Sequence, residues 1–512
     1  MWRFLLLFFF LHGLRDATGL PDPRLPGNII RDHIKKYIDF SVDPCEDFYA
    51  HVCPKEFNLS FLSDLMNIKT KLVHEYKKNN PDFSQWTNLH DGAIDEIIEF
   101  LSAEERCIDT KNIFVGSYLY LNDSILDGFE TADCAGRENI LKAVFNSNRV
   151  YYEQSRIELA AAVDALVASR LTKHLNGDAK KLFEQLKNVM RKEFKKTPWA
   201  KHNHAVKKYE EALEKITFWT FSDAEHIIST AFRKYEISFN SCFKKLKTAY
   251  NDKVSTTFCK VMATNNATNF LHESTEKIFE MGLKEIIGDR LSLFNYMDDR
   301  IYMSNDFLLL MNTNDTTDLH GTLGFLFLHE IMHTFVFGYE DIENGNELYS
   351  YWTKHADCVA KQAAKTCETF KTVFAEDGES QVNLESQIGC NATITFEEDA
   401  ADLAAYRLAY KLGNRKFTRK TMVENYESIT KDEMFFYGAG MILCIPNAMD
   451  HTLFSGQPHS NNYQRVNSLM SQMNEFKTAF KCKDTDKMIQ NKAAECTLYG
   501  SKAPYTRKNS SD

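Results

Sequence analysis

The stretch GFLFLHEIMHTF occupies residues 324–335 and sets the direction of the whole reading. Four apolar residues, Phe325 to Leu328, run directly into His329-Glu330-Ile331-Met332-His333. On a helix, positions i and i+4 lie on one face, so both imidazoles can reach a single ion. Zinc accepts imidazole nitrogen and keeps an open position when only three protein ligands bind it. Glu330 then stands beside the activated water and takes its proton. The competing reading is a core helix with two histidines facing solvent. The apolar run ahead of the motif weighs against it, because it puts the histidines beside a buried strip.

A third ligand is needed, and FEEDAADLAAYRLAY at 396–410 offers one. Glu398 and Asp402 are again four apart. One carboxylate can bind the metal while the other fixes a histidine through its free ring N–H, which sets tautomer and ring angle. The same acidic run, Glu397 to Asp399, also suits a helix N-terminus with no metal at all.

Working outward, the 512 residues suit two domains or one large elaborated one. A hydrophobic fraction of 44% with 26% charged residues describes a chain that folds rather than one dominated by disorder. The net charge of −10 and the lack of a long basic run exclude nucleic acid as a natural partner. Glycine and proline are scarce, at 21 and 10 residues, which leaves too few turns for a β-sandwich. Apolar residues recur at helical spacing in Asp178 to Phe194 (Leu182, Leu186, Val189, Met190) and again in Ala205 to Ile216. The expected fold is therefore mainly α.

The N-terminus reads as an export signal. Phe4 to Leu11 is unbroken apolar sequence, and Ala17-Thr18-Gly19 offers small residues for cleavage. The run is well short of the ~20 residues of a membrane span, and no later segment qualifies. Twelve cysteines and six N-x-S/T sequons, at Asn58, Asn122, Asn266, Asn314, Asn391 and Asn509, fit a secreted, disulfide-bonded glycoprotein.

Together these residues resemble the neprilysin-like (M13 type) family of zinc metallopeptidases, which pairs HExxH with a downstream ExxxD. DPCEDFYAHVC (43–53) is similar to the family's N-terminal cysteine motif. The stretch from Asp178 to Ile216, which includes PWAKHNHAVKKYEEALEKI (198–216), resembles the helical link into its catalytic domain. Tyr351-Trp352-Thr353 resembles its WWT, and Gly321 and Gly324 match glycines ahead of HExxH. PHSNNYQRVN (458–467) resembles its histidine loop, and AFKC (479–482) through CTLY (496–499) its C-terminal end. The similarity covers most of residues 30 to 499.

The resemblance implies a thermolysin-like zinc catalytic domain with a truncated helical lid domain, disulfide-stapled. The expected divisions are 1–19 signal peptide, 20–60 N-terminal segment tied to the catalytic domain, 61–290 shortened helical domain, 291–499 catalytic domain and 500–512 polar tail. It implies one Zn2+ per chain on His329, His333 and Glu398, with Glu330 as base and Asp402 in support. It assigns His459 to the tetrahedral oxyanion and Arg465 to the substrate backbone carbonyl. Phe325 and Leu326, with Ile442 and Leu443, would form the pocket for the residue after the cut bond. The implied activity is endopeptidase cleavage on the amino side of hydrophobic residues, with peptide or protein substrates. A catalytically weak peptide-binding relative is the alternative.

Three departures stand out. The family's Asn-Ala anchor is degenerate in FNYMDDRIYM (294–303), leaving Asn295. Leu328 replaces the glycine before the first histidine, and Gln457 replaces an acidic residue. Family pairing implies Cys45–Cys482, Cys53–Cys444, Cys367–Cys496 and Cys107–Cys134. The last closes a gap of only 27 residues where relatives hold most of a helical domain, so much of the cover over the cleft is expected to be missing. Sequence proximity suggests Cys242–Cys259 and Cys358–Cys390.

Overall fold

A computed structural model describes residues 25, 27, 29–53, 61–80, 95–96, 132–147, 149–202, 205–246, 252–278, 293–296, 299–313, 316–336, 353–370, 372–374, 381–383, 395–414, 422–423, 426–444 and 459–503. The export signal, Cys107, Cys390, Tyr351-Trp352, Gln457 and the sequons other than Asn266 lie outside these residues. In chain order, the helices needed below are α1 (Ile29–Tyr37), α2 (Phe48–Val52), α3 (Arg149–Thr172), α4 (Asn176–Lys196), α5 (Phe221–Leu246), α6 (Asp252–Ile278), α7 (Thr316–Gly321), α8 (Leu323–His333), α9 (Thr353–Thr369), α10 (Phe396–Asn414), α11 (Lys431–Ile442) and α12 (Asn462–Ser471). Three short strands, β1 (Thr217–Thr220), β2 (Leu293–Tyr296) and β3 (Arg300–Met303), form a sheet in the order β1-β3-β2. The protein is mainly α, and among the described residues no helix is long and apolar enough to cross a membrane.

The chain divides into two compact units that interleave in sequence. One takes residues 1–69, 174–219 and 293–512; the other takes 70–173 and 220–292. Residues 174–219, expected within the helical domain, thus pack with the unit that holds both motifs.

The second unit is α5 packed along α6, with α3 against both. Cys242–Cys259, with Cα atoms 5.5 Å apart, joins α5 to α6 as sequence proximity suggested. Tyr235, Phe239 and Phe243, spaced four apart on α5, stack in a ladder with centroids 6.3 and 5.7 Å apart.

In the first unit α8 packs on α10, and α4 lies against both. α8 is apolar nearly all round, so it is buried on nearly every side; only Leu326 and His333 reach partial exposure. α10 can approach it closely because Ala400, Ala401, Ala404, Ala405 and Ala409 carry no bulk and favour helix. α7 crosses α11 at Gly321, where a Cβ would stand 2.2 Å from the carbonyl oxygen of Phe435, so only glycine fits. β2 and β3 pair antiparallel, with Asn295 opposite Ile301, and run beside α8.

The N-terminal segment is bound into this unit. Cys45–Cys482 and Cys53–Cys444 form as the resemblance implied, with Cα separations of 5.5 and 5.3 Å. Asp47 caps α2, accepting from the backbone N–H of Ala50, and also accepts from the Tyr463 hydroxyl and the Asn467 amide of α12. The implied Cys367–Cys496 bridge and the suggested Cys358–Cys390 bridge are both corrected: Cys496 pairs with Cys358, at a Cα separation of 5.6 Å. Both candidate cysteines lie on α9, nine residues and therefore about 180° of helix apart. Cys358 is on the face turned to the C-terminal segment. Cys367 is disulfide-bonded elsewhere.

Candidate metal centre

α8 presents His329 and His333 one turn apart, and α10 presents Glu398 and Asp402 with the same spacing. Packing the two helices together brings one ligand atom from each of His329, His333 and Glu398 within 4.8 Å of the others. The two Nε2 atoms are 3.2 Å apart. Oε2 of Glu398 is 3.1 Å from Nε2 of His329, and its Oε1 is 3.7 Å from Nε2 of His333. Nitrogens bound to one tetrahedral zinc at about 2.0–2.1 Å lie about 3.3 Å apart, so the imidazoles already have the spacing of co-ligands. Buried Oε2 of Glu398 makes no well-aligned hydrogen bond, as expected of an atom arranged for a cation rather than a proton. The residues therefore fit a zinc ion.

Behind this cluster stands a second set of charges. Nδ1 of His329 lies 2.8 Å from Oδ1 of Asp402, close but off the in-line direction of a strong hydrogen bond. Asp402 is gripped by Arg465 of α12 through two parallel contacts, Nε to Oδ2 at 2.7 Å and Nη2 to Oδ1 at 2.9 Å. Asp402 and Arg465 are both nearly excluded from solvent, so each charge is satisfied by the other.

The electrostatics of these side chains follow from the packing. Burial opposes the charged form of His329, but Asp402 and then Glu398 outweigh it and hold the imidazole up to about 10. Burial and the neighbouring His329 push His333 down to about 4. Burial works against ionised Glu398 and Asp402 as well. His329 and His459 nonetheless hold Glu398 well below the usual carboxylate range, and Arg465 with His329 does the same for Asp402. Two carboxylates kept ionised around facing imidazoles make a site that attracts a cation.

Glu330 is buried on α8 between the histidines, and its charge acts on His329. His459 brings its Nε2 to 3.1 Å from Oε2 of Glu398. His333 and His459 are 26% and 37% exposed, so the cluster opens to solvent on their side. Phe325 does not reach that opening: it is fully buried, edge-on to Tyr406 with centroids 5.6 Å apart. Leu326 beside it is partly exposed, while Ile442 and Leu443 are buried. Asn295 takes its place in β2, beside α8.

Sequence reasoning missed Asp399 and its partners. Its Oδ2 accepts hydrogen bonds from the hydroxyls of Thr395 and Ser460, at 2.8 and 2.9 Å. Burial pushes this carboxyl up to about 7 against those two donors. The Thr395–Asp399 spacing of four was visible in the chain; Ser460, 61 residues on, was not.

Comparison with known proteins bears on the same region. Residues 308–496 match the family model described as Peptidase family M13. Neprilysin-1 of Caenorhabditis elegans is 24% identical over 170 residues, covering 32% of this chain and 22% of its own length. The chain thus spans only about a fifth of that relative. Among solved structures, the Haemonchus galactose containing glycoprotein complex is similar in fold, with a TM-score of 0.50 at 13% identity, covering 90% of this chain and 96% of that one. The zinc metalloprotease Zmp1 of Mycobacterium tuberculosis gives a TM-score of 0.41 at 13% identity, covering 71% of this chain and 51% of that one.

Proposed function

From a chain that is neprilysin-like and of the M13 peptidase type over residues 308–496, we propose a secreted zinc endopeptidase that cleaves on the amino side of hydrophobic residues. The observation that carries this reading is the convergence of His329, His333 and Glu398 within 4.8 Å, with Glu330 on the same helix turn. Zinc on those three residues would supply a Lewis acid and bring the pKa of water down to about 7. Glu330 accepts the proton and later delivers it to the leaving amine. Asp402 keeps Nδ1 of His329 protonated, which leaves Nε2 free to ligate. His459, on the exposed side of Glu398, donates to the developing oxyanion.

Arg465 has a second partner beside the substrate carbonyl proposed for it. Its Nε and one Nη2 hydrogen go to Asp402, so it organises the metal site from behind, and three of its five N–H donors are left by these two contacts for a substrate carbonyl. The degenerate segment around Asn295 is what favours the second reading, a weak catalyst that binds peptides. Both readings meet in one experiment: a quenched peptide library incubated with the parent, with Glu330→Gln, and with the parent plus chelator. Chelator-sensitive cleavage by the parent alone is expected. Binding without cleavage by the zinc-loaded parent would leave the second reading standing.

A further inference from the structure

We infer that Asp399 is a positioning residue for His459, acting through the hydroxyl of Ser460; the inference rests on the proposed peptidase reading of the site. Two consecutive carboxylates of α10 address two consecutive residues of the segment before α12. Glu398 meets His459, with 3.1 Å between Oε2 and Nε2, and Asp399 accepts from Ser460 at 2.9 Å. The second contact is built in more deeply than the first. Ser460 is fully buried, and so is Thr395, whose hydroxyl donates to the same Oδ2 at 2.8 Å. His459 itself is 37% exposed. On the far side of Ser460 the chain is fixed again: the side chain of Asn461 caps α12, accepting from the backbone N–H of Gln464 at 2.8 Å.

His459 therefore projects from a segment held at Ser460 and Asn461, while its own ring, 37% exposed, meets Glu398. That contact is to a residue with another task. Once the Glu398 carboxylate is engaged by a cation, its attraction for the imidazole falls, because the charge that drew the ring is neutralised. The Asp399–Ser460 link is then what keeps His459 in register beside the cluster. Oxyanion donors are useful only within a few tenths of an ångström of the charge they meet, and misplacement by about 1 Å can cost on the order of 100-fold in rate.

The test uses the full-length zinc-loaded protein with Asp399→Ala, Ser460→Ala, the double variant and Asp399→Asn. The asparagine keeps an oxygen that can accept both hydroxyls. Asp399→Ala and Ser460→Ala should each lower kcat by about 10- to 100-fold with KM within about twofold and zinc content unchanged. The double variant should be no worse than the poorer single one, since both break one link. Asp399→Asn should return kcat to within about threefold of the parent. Amide exchange across 459–464 should quicken in the alanine variants and not in Asp399→Asn. Additive losses, or losses that track missing zinc, would overturn the positioning role and leave only a folding one. Should the parent cut no peptide, the peptidase reading fails on its own. The exchange measurement still decides the link, and parent-like exchange in both alanine variants refutes it.

Discussion

Replacing Asp402 by Asn should weaken zinc binding without touching a ligand. The carboxylate lies 2.8 Å from Nδ1 of His329 and receives both arms of Arg465, at 2.7 and 2.9 Å. An amide of the same size loses one acceptor and turns a donor toward either the guanidinium or the ring N–H, both of which are donors themselves. The His329 ring then loses the partner that fixes its tautomer and angle. Losses of this kind typically lower metal affinity by about 10- to 100-fold. That range corresponds to about 1.4–2.7 kcal/mol. A second effect accompanies it: Arg465, only 10% exposed, is left as a buried cation without its counter-charge, and breaking such a pair costs about 3–5 kcal/mol of stability. The assay is competition for zinc against a chromogenic chelator, with thermal unfolding of the metal-free variant alongside. Arg465→Ala is the control, because it removes the grip on Asp402 while leaving that carboxylate beside His329. It should lose stability comparably and zinc affinity less. A zinc affinity in Asp402→Asn within twofold of the parent, in protein that is folded, would refute the argument that Asp402 organises His329.

Glu330→Gln should retain one zinc per chain by metal analysis and lose peptide turnover, since an amide cannot accept the water's proton. Gly321→Ala should destabilise by about 1–3 kcal/mol in denaturant unfolding, because its Cβ would meet the carbonyl oxygen of Phe435 at 2.2 Å, a backbone atom that cannot swing aside. His33 and His51 are both held below their ordinary 6.5 by burial, so the unfolded chain takes up protons first and stability should fall as pH drops below that value. His51→Gln should shallow that acid slope in melts run between about pH 7.5 and 5.5, and an unchanged slope would exclude His51 as a contributor. Peptide mapping without reduction should recover Cys358 linked to Cys496.

What the sequence could and could not reveal follows from how far apart the partners lie. His329 with His333, and Glu398 with Asp402, are four-residue spacings on single helices, so periodicity alone put each pair on one face. The apolar run 325–328 signalled that α8 would be buried, but it could not tell a pocket wall from core, and Phe325 went to the core against Tyr406. Arg465 and Asp402 are 63 residues apart on different helices; nothing in either segment encodes that their forks will meet. Cys358 and Cys367 occupy opposite faces of one helix, and choosing between them required knowing which face the C-terminal segment crosses.

α10 explains why so much of the centre was readable and where reading had to stop. Within three turns it offers Glu398 to the histidines of α8, Asp399 to Ser460, Asp402 to His329 and Arg465, and Tyr406 to Phe325. Glu398 and Asp402 share a face because they are four apart. Asp399, rotated by about 100° from Glu398, looks toward a different neighbour. The alanines between these groups let α8 approach, so ligand geometry is set by a helix–helix contact rather than by loops. Asn295 lies off both ligand-bearing helices, in β2, whereas Leu328 sits on α8 directly before His329. The groups that would hold a metal are therefore on different elements from Asn295, the residue that would grip a peptide. On the proposed reading, a change at Asn295 should raise KM and leave metal affinity in place. On that reading zinc binding and peptide efficiency can part company, and each has to be measured by its own assay.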